Sequence, residues 1–324
     1  MSVDIVKKAE KFRQLIDSAE TIMIVGHVHP DGDCIGSNLA MFNYITENYK
    51  DKTVDVYDEV SPNAFKILSG SRKIKHETGD MRYDLAISID VSDMDRLGKF
   101  KDLYNSAIST ICIDHHVSNK GFGDFCYIVP EASSACEAMC DLLDMDLVSE
   151  KTANCLYLGI IHDTGVFKYS STSRATMELG GLLIEKGAKP DVIIDETFYK
   201  KSYKQNVLMS RVILDSRLHE GGRIISGHIT RELFKECQCS TMDTDGIVEQ
   251  LRLTDGVEVA VFAYQLNKKT TKFSLRAKSY VDVNEIASTF GGGGHVRAAG
   301  FETELEFEEA LDKVITLAKK QIKK

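Results

Sequence analysis

The chain has 324 residues, enough for about two domains with a sizeable core in each. Hydrophobic residues make up 43% and charged residues 27%, the profile of a globular protein. Forty Lys and Arg against 49 Asp and Glu give a net charge of −9, which disfavours a protein that coats duplex DNA. No apolar run reaches the roughly 18–20 residues of a membrane span. The segment from Met1 to Ala19 is charged and amphipathic and lacks the apolar centre of a signal peptide.

In chain order, Ile5, Ala9, Phe12, Leu15, Ile16 and Ala19 recur at helical spacing. Thr21–Val25 is a continuous β-branched run, as expected of a strand buried on both faces. Similar runs follow at Thr53–Tyr57, Leu85–Ile89 and Ile108–Ile113, with helix-compatible stretches between several of them. Leu158–Ile161 reads as a further strand end. This alternation predicts an α/β fold built on a mostly parallel sheet flanked by helices. A loop at Gly187–Pro190 closes the first domain, taken as 1–188, and residues 189–220 read as a helical connector. Residues 221–324 read as a smaller α/β domain. Its strands are predicted at Ile224–Ile229, Glu258–Leu266 and Lys272–Lys278, the last two as a hairpin, with a closing helix at Leu305–Ile322. The charge divides unevenly: residues 1–200 carry 21 basic and 32 acidic side chains, residues 201–324 carry 19 and 17. The eight cysteines have no paired CxxC spacing. They read as reduced thiols without a metal role, which fits a cytoplasmic protein.

The first strand is followed by Gly26-His27-Val28-His29-Pro30-Asp31-Gly32-Asp33. Four ligand-capable side chains alternate there in a loop that Pro30 and Gly32 can turn toward one point. Carboxylate with imidazole suits Mn²⁺, Fe²⁺ or Zn²⁺ better than Ca²⁺. The alternative is a polar loop in which Asp31 or Asp33 caps the next helix. Asp90, Asp114-His115-His116 and Asp163 follow three further apolar runs. Clustered carboxylates need a compensating cation, and this many imply more than one divalent ion. In the second domain, period two puts Lys272, Ser274, Arg276 and Lys278 on one strand face and Phe273, Leu275 and Ala277 on the other. Gly291–Gly294 presents backbone amides without side chains in the way, and His295 and Arg297 beside it complete a candidate nucleotide clamp.

With these blocks in order, the chain resembles the DHH phosphoesterase superfamily, named for Asp-His-His as at 114–116. Gly291–Gly300 resembles the GGGH signature of the DHH-associated domain. Length and layout are similar to stand-alone nanoRNase/pAp phosphatases. The resemblance implies an active-site cleft between the two domains and two Mn²⁺ ions. One ion would be held by His27, Asp31 and Asp90, the other by Asp33, Asp90, His115 and Asp163, with Asp90 bridging. It places His29 outside the ligand set, in a hydrogen-bonding or packing role, and gives Asp114 an orienting role. His116 would contact the phosphate or leaving oxygen, with general-acid action open. Asn119 would hold its loop or the substrate. Arg276, Gly293, Gly294, His295 and Arg297 would read the rest of the substrate.

The implied activity is hydrolysis of short single-stranded oligonucleotides and linear dinucleotides to mononucleotides, and of 3′-phosphoadenosine 5′-phosphate (pAp) to AMP. An ion-activated hydroxide would be the attacking group. Duplex DNA and membranes are not expected as partners, and apolar residues on the connector could serve a homodimer. Alternatives are a pApA or cyclic-dinucleotide phosphodiesterase, an inorganic pyrophosphatase, and a non-catalytic nucleotide sensor, which would be expected to have lost a ligand or His116.

Overall fold

The apolar runs of the N-terminal part pair edge to edge: Leu85–Ile89 is buried throughout and Thr21–Val25 nearly so, and neither has a polar side to give to water. The computed structural model describes residues 3–60 and 63–322. Its contacts divide the chain into two units, Met1–Lys200 and Lys201–Lys324.

In the first unit, α1 (Val3–Ser18) leads into β1 (Thr21–Val25), α2 (Gly32–Asn48) and β2 (Thr53–Tyr57). Then come β3 (Leu85–Ile89), α3 (Lys101–Asn105), β4 (Ser109–Asp114), β5 (Phe125–Ile128), α4 (Ala135–Cys140) and α5 (Glu150–Asp163). The unit closes with α6 (Arg174–Glu185), α7 (Pro190–Ile194) and a π-helical turn at Asp195–Tyr199. The strands form one sheet in the order β2-β1-β3-β4-β5, every pair parallel. Ile22 and Ile24 of β1 enter one core with Leu39, Leu85, Ile87 and Ile111. Met23 and Val25 point the other way, to Tyr57, Phe100 and Tyr104. The expected α/β architecture is what forms.

The strand order reverses between β1 and β3. In open α/β sheets, the crevice beyond the carboxyl ends of the strands at such a reversal is where ligands bind.

Two sequence expectations are corrected here. Leu158–Ile161 is not a strand but lies within the last two turns of α5. Ser149 caps that helix by accepting from the Thr152 amide, and Cys155 through Ile161 are all buried. A helix buried around its whole circumference shows the same unbroken apolar run as a buried strand. Residues 189–220 are not one connector. Ile193 of α7 sits in the first unit's core, while α8 (Tyr203–Leu214) gives Leu208 and Val212 to the second unit's core.

The second unit continues with β6 (Arg217–His219), β7 (Ile224–Ile229), α9 (Arg231–Glu236), α10 (Ile247–Arg252), β8 (Val259–Gln265) and β9 (Thr271–Ala277). It ends with α11 (Val283–Ser288), β10 (Gly293–His295), β11 (Ala298–Thr303) and α12 (Phe307–Gln321). Its mixed sheet runs β10-β11-β9-β8-β7-β6, with β7 and β8 parallel and the other pairs antiparallel. Phe273, Leu275 and Ala277 of β9 lie in a core with α11 and α12. Among the described residues, no helix is long and apolar enough to cross a membrane.

Candidate metal centre

Each strand end at the reversal delivers one ligand-capable side chain. His27 follows β1, Asp90 follows β3, and His115 follows β4. Asp90 is 2% exposed and stands between the two histidines. Its Oδ2 lies 3.5 Å from His27 Nε2, and its Oδ1 lies 3.5 Å from His115 Nε2. Its backbone is left-handed, with φ of 62°, a conformation that Asp tolerates better than most residues and that re-aims the side chain as the strand ends.

The remaining acids arrive on helices. Asp31 is the N-cap of α2 and accepts the Asp33 and Cys34 amides through Oδ1, so the capping expectation holds for this residue. That same Oδ1 is 3.8 Å from His27 Nε2. Asp33, in the first turn of α2, is fully buried. Its carboxylate accepts the Ala135 amide at 2.6 Å and the Cys136 amide at 3.1 Å, and Oδ2 is 3.9 Å from His115 Nε2. Asp163 ends α5, with Oδ2 3.2 Å from His115 Nε2. Asp163, Asp33 and His115 have ligand atoms within 4.8 Å of one another because α2 and α5 touch through backbone: a Cβ on Gly36 would lie 2.7 Å from the Cys155 carbonyl oxygen. A Cβ on Gly159 would lie 2.3 Å from Cys136 Sγ and 2.5 Å from Asp33 Oδ1.

Electrostatics favours a cation here. Burial, with Asp90 and Asp163 nearby, pushes the Asp33 carboxyl well above the usual range. Burial also raises Asp163, which stands at the negative end of a helix dipole. Burial alone would lower the two histidines. The carboxylates outweigh it, raising His27 to about 10 through Asp31 and Asp90, and His115 to about 11 through Asp163 and Asp90. Buried Asp90 Oδ1 has no hydrogen-bond partner. His27 Nδ1 faces the Val28 carbonyl at 2.7 Å and His115 Nδ1 the Ala132 carbonyl at 3.4 Å. Donation to those carbonyls leaves each Nε2 free toward the acids, the arrangement of a metal-ligating imidazole. The donor set therefore fits divalent cations, which would displace the protons these groups otherwise hold.

His116 is turned differently. Its Nδ1 lies 2.8 Å from Asp114 Oδ1, and its side chain is 39% exposed. Asp114 raises the pKa of His116. Burial would raise Asp114 itself, but His116 and Asn119 hold it below the usual carboxylate range. Asn119 donates to Asp114 Oδ2 at 2.7 Å and to the Val91 carbonyl at 2.9 Å, and accepts the Gly121 amide. Its amide is committed to the loop.

His29 does not pack: its side chain is 91% exposed, and Nδ1 is 3.7 Å from Glu59. Its φ of 56° turns the chain outward. His162 packs between the rings of Phe65 and Phe198.

Several site groups escaped the sequence reading. The amides of Ala135 and Cys136 were missed, although Ser134 and Glu137 form the S-x-x-E pattern that marks a helix start. Cys34 Sγ, His27 and Asp90 have potential ligand atoms within 4.8 Å of one another. Asp58, after β2, is fully buried, and burial raises it to about 8; Asn38 donates to it at 2.9 Å. Gly165, Val166 and Phe167 all have positive φ. That left-handed turn directly after Asp163 and Thr164 costs about 1–2 kcal/mol per non-glycine residue, and Thr164 Oγ1 steadies it by accepting the Phe167 amide.

In the second unit the glycine run is not wholly a loop. Gly293–His295 is strand β10, and a Cβ on Gly294 would lie 2.4 Å from the Ala298 carbonyl oxygen. Strand pairing therefore demands that glycine. Register aligns His295 with Ala298 and Ala298 with Arg276, so these three share one face. Gly293, Gly300 and Ser274 line up in the same way. Arg276 Nη1 donates to the Leu275 carbonyl at 3.1 Å, and Arg297 Nη1 to the Val281 carbonyl at 2.7 Å.

Comparison with known proteins reaches both units. Residues 21–160 match the DHH family, N-terminal domain, and residues 233–324 match the DHHA1 domain. A Streptococcus mutans protein named "Probable bifunctional oligoribonuclease and PAP phosphatase NrnA" is 30% identical, over 88% of this chain and 90% of that protein. A Thermus thermophilus protein named bifunctional oligoribonuclease and PAP phosphatase NrnA is 25% identical, over 93% and 90%. A cyclic-di-AMP phosphodiesterase PdeA of Listeria monocytogenes is 25% identical over 97% of this chain, which spans 48% of that protein. A crystal structure of an exopolyphosphatase-related protein from Bacteroides fragilis superposes with a TM-score of 0.86 at 27% identity, covering 97% of this chain and 96% of that one.

Proposed function

Because the chain belongs to the DHH family and carries a DHHA1 domain in its second half, we propose that it hydrolyses short oligonucleotides and linear dinucleotides to mononucleotides and dephosphorylates pAp to AMP. The observation that carries this reading is Asp90 standing between His27 and His115, one oxygen toward each, with Asp33 and Asp163 beside them. His27, Asp31 and Asp90 would hold one divalent ion, and Asp33, Asp90, His115 and Asp163 a second. The mix of carboxylate and imidazole suits Mn²⁺. Bound ions would lower the pKa of an attacking water and neutralise charge growing on the phosphoryl oxygens.

The chain's own groups do the rest. Asp33 is held in place by two helix amides, so its position does not depend on the ion. Asp114 fixes the His116 ring with Nδ1 as donor, which leaves Nε2 to contact the phosphate and to give a proton to the leaving oxygen. Arg276 would grip a second phosphate through its fork of N–H donors, with His295, Gly293, Gly294 and Arg297 completing recognition of the nucleotide. A small substrate fits a chain whose acidity lies in the first unit, with 21 basic and 32 acidic side chains against 19 and 17 in the second.

A second reading, hydrolysis of pApA or a cyclic dinucleotide, is favoured by the match to the phosphodiesterase of Listeria monocytogenes. The deciding assay incubates the purified protein and Mn²⁺ separately with pAp, pApA, pGpG, RNA of two to five nucleotides, cyclic di-AMP and pyrophosphate. Release of AMP from pAp and of mononucleotides from the short RNAs is expected. Turnover of pyrophosphate alone would overturn the proposal, and preferred cleavage of cyclic di-AMP would select the second reading. In the same assay Arg276→Ala should raise KM for pAp about tenfold or more, the scale of a charge-assisted phosphate contact. An unchanged KM would remove Arg276 from the substrate site.

A further inference from the structure

Arg96 is exposed, yet its guanidinium turns away from the acids around it and toward the metal-ligand cluster. Its Nη2 lies 3.0 Å from His27 Nδ1. The neighbouring carboxylates have other partners: Asp93 Oδ1 accepts the Asp95 and Arg96 amides, and Asp95 pairs with Lys101 at 2.6 Å. The backbone brings Arg96 to this place. The Val28 amide donates to the Arg96 carbonyl at 2.8 Å, fastening the segment to the loop that carries His27. Two residues on, Gly98 has a φ of 55°, and a Cβ there would lie 2.5 Å from Val28 Cγ1. Without that glycine the segment could not lie so close to the loop.

His27 is a poor partner for this guanidinium. A guanidinium is a donor in every contact it makes, and His27 Nδ1 also faces the Val28 carbonyl at 2.7 Å. Donation from Nδ1 to that carbonyl is what leaves Nε2 toward Asp90 and Asp31, and Arg96 then meets a second donor. This guanidinium has no carboxylate partner among the described residues and is held at the cluster by its backbone, so its N–H donors are placed for an acceptor that arrives with the substrate. We propose that Arg96 binds the substrate phosphate at the metal centre, a phosphate ligand supplied by the first unit. The proposal rests on the reading of the chain as a phosphohydrolase and adds a residue to its substrate contacts.

The test uses the full chain with Arg96→Gln and Arg96→Lys. Three quantities are measured: KM and kcat for pAp at saturating Mn²⁺, calorimetric binding of AMP to the Mn²⁺-loaded protein, and calorimetric affinity for Mn²⁺ alone. Arg96→Gln should raise KM and weaken AMP binding by about 10–100-fold. Arg96→Lys should fall between the glutamine variant and wild type, and Mn²⁺ affinity should stay near wild type in both. Loss of Mn²⁺ affinity with KM and AMP binding unchanged would show that Arg96 merely orients His27, and would overturn the proposal. If wild type turns over pAp and Arg96→Gln does so with the same KM, Arg96 alone has been misassigned. If wild type cleaves no phosphoester and binds no AMP, the phosphohydrolase reading fails and takes this proposal with it.

Discussion

Asp90→Asn is expected to lower kcat/KM on pAp by at least about 10³-fold, because the ions that Asp90 would help hold would supply several kcal/mol to the transition state. The side chain offers one oxygen toward His27 and the other toward His115, so replacing the carboxylate by an amide weakens both groups at once. Asparagine is the informative substitution. Like aspartate it tolerates the left-handed backbone found at residue 90, whereas alanine would add a backbone penalty to the chemical one. The asparagine variant loses the carboxylate that faces both His27 and His115, so its melting temperature is compared with and without Mn²⁺. Mn²⁺ should raise its melting temperature less than it raises that of wild type. Activity within tenfold of wild type would remove Asp90 from the proposed ligand set.

Asp114→Asn should lower kcat by about 10²–10⁴-fold, the range spanned by general acid–base catalysis and by loss of a carboxylate that orients a catalytic histidine. Asp114 accepts from His116 through one oxygen and from Asn119 through the other. An amide in its place presents a donor to one of these two donors. The His116 ring then turns, or the loop held by Asn119 shifts. The pH profile of kcat should move toward lower pH, because the anion that raises His116 is gone. KM should change far less than kcat. A threefold loss or smaller, with an unaltered pH profile, would show that His116 needs no fixed orientation.

How far such a site can be read from sequence depends on which contacts are local. β1, β2 and β3 begin and end where the apolar runs do, because strands buried on both faces leave continuous β-branched stretches. The loops after β1, β3 and β4 carry His27, Asp90 and His115, and the structure brings these together with Asp31, Asp33 and Asp163. Leu158–Ile161 misled for the same physical reason: a fully buried helix has no polar stripe to reveal its period. β5 (Phe125–Ile128) and β10 (Gly293–His295) went unrecognised because one is short and half-exposed and the other is mostly glycine. The support of Asp33 by the amides of Ala135 and Cys136 joins positions about a hundred residues apart, and no spacing rule reaches that far. In the sequence Arg96 is one polar residue among several after β3, with Asp93 and Asp95. Its importance depends on the turn at Gly98, which sequence alone does not aim.

The proposed function needs two divalent ions that Asp90 would help hold, and the most direct measurement of that is a crystal grown with Mn²⁺ and analysed by anomalous scattering at the manganese edge. Two peaks are expected, one bounded by His27, Asp31 and Asp90, the other by Asp33, Asp90, His115 and Asp163. No peak at Asp90, or ions held by other residues while pAp is still hydrolysed, would contradict it.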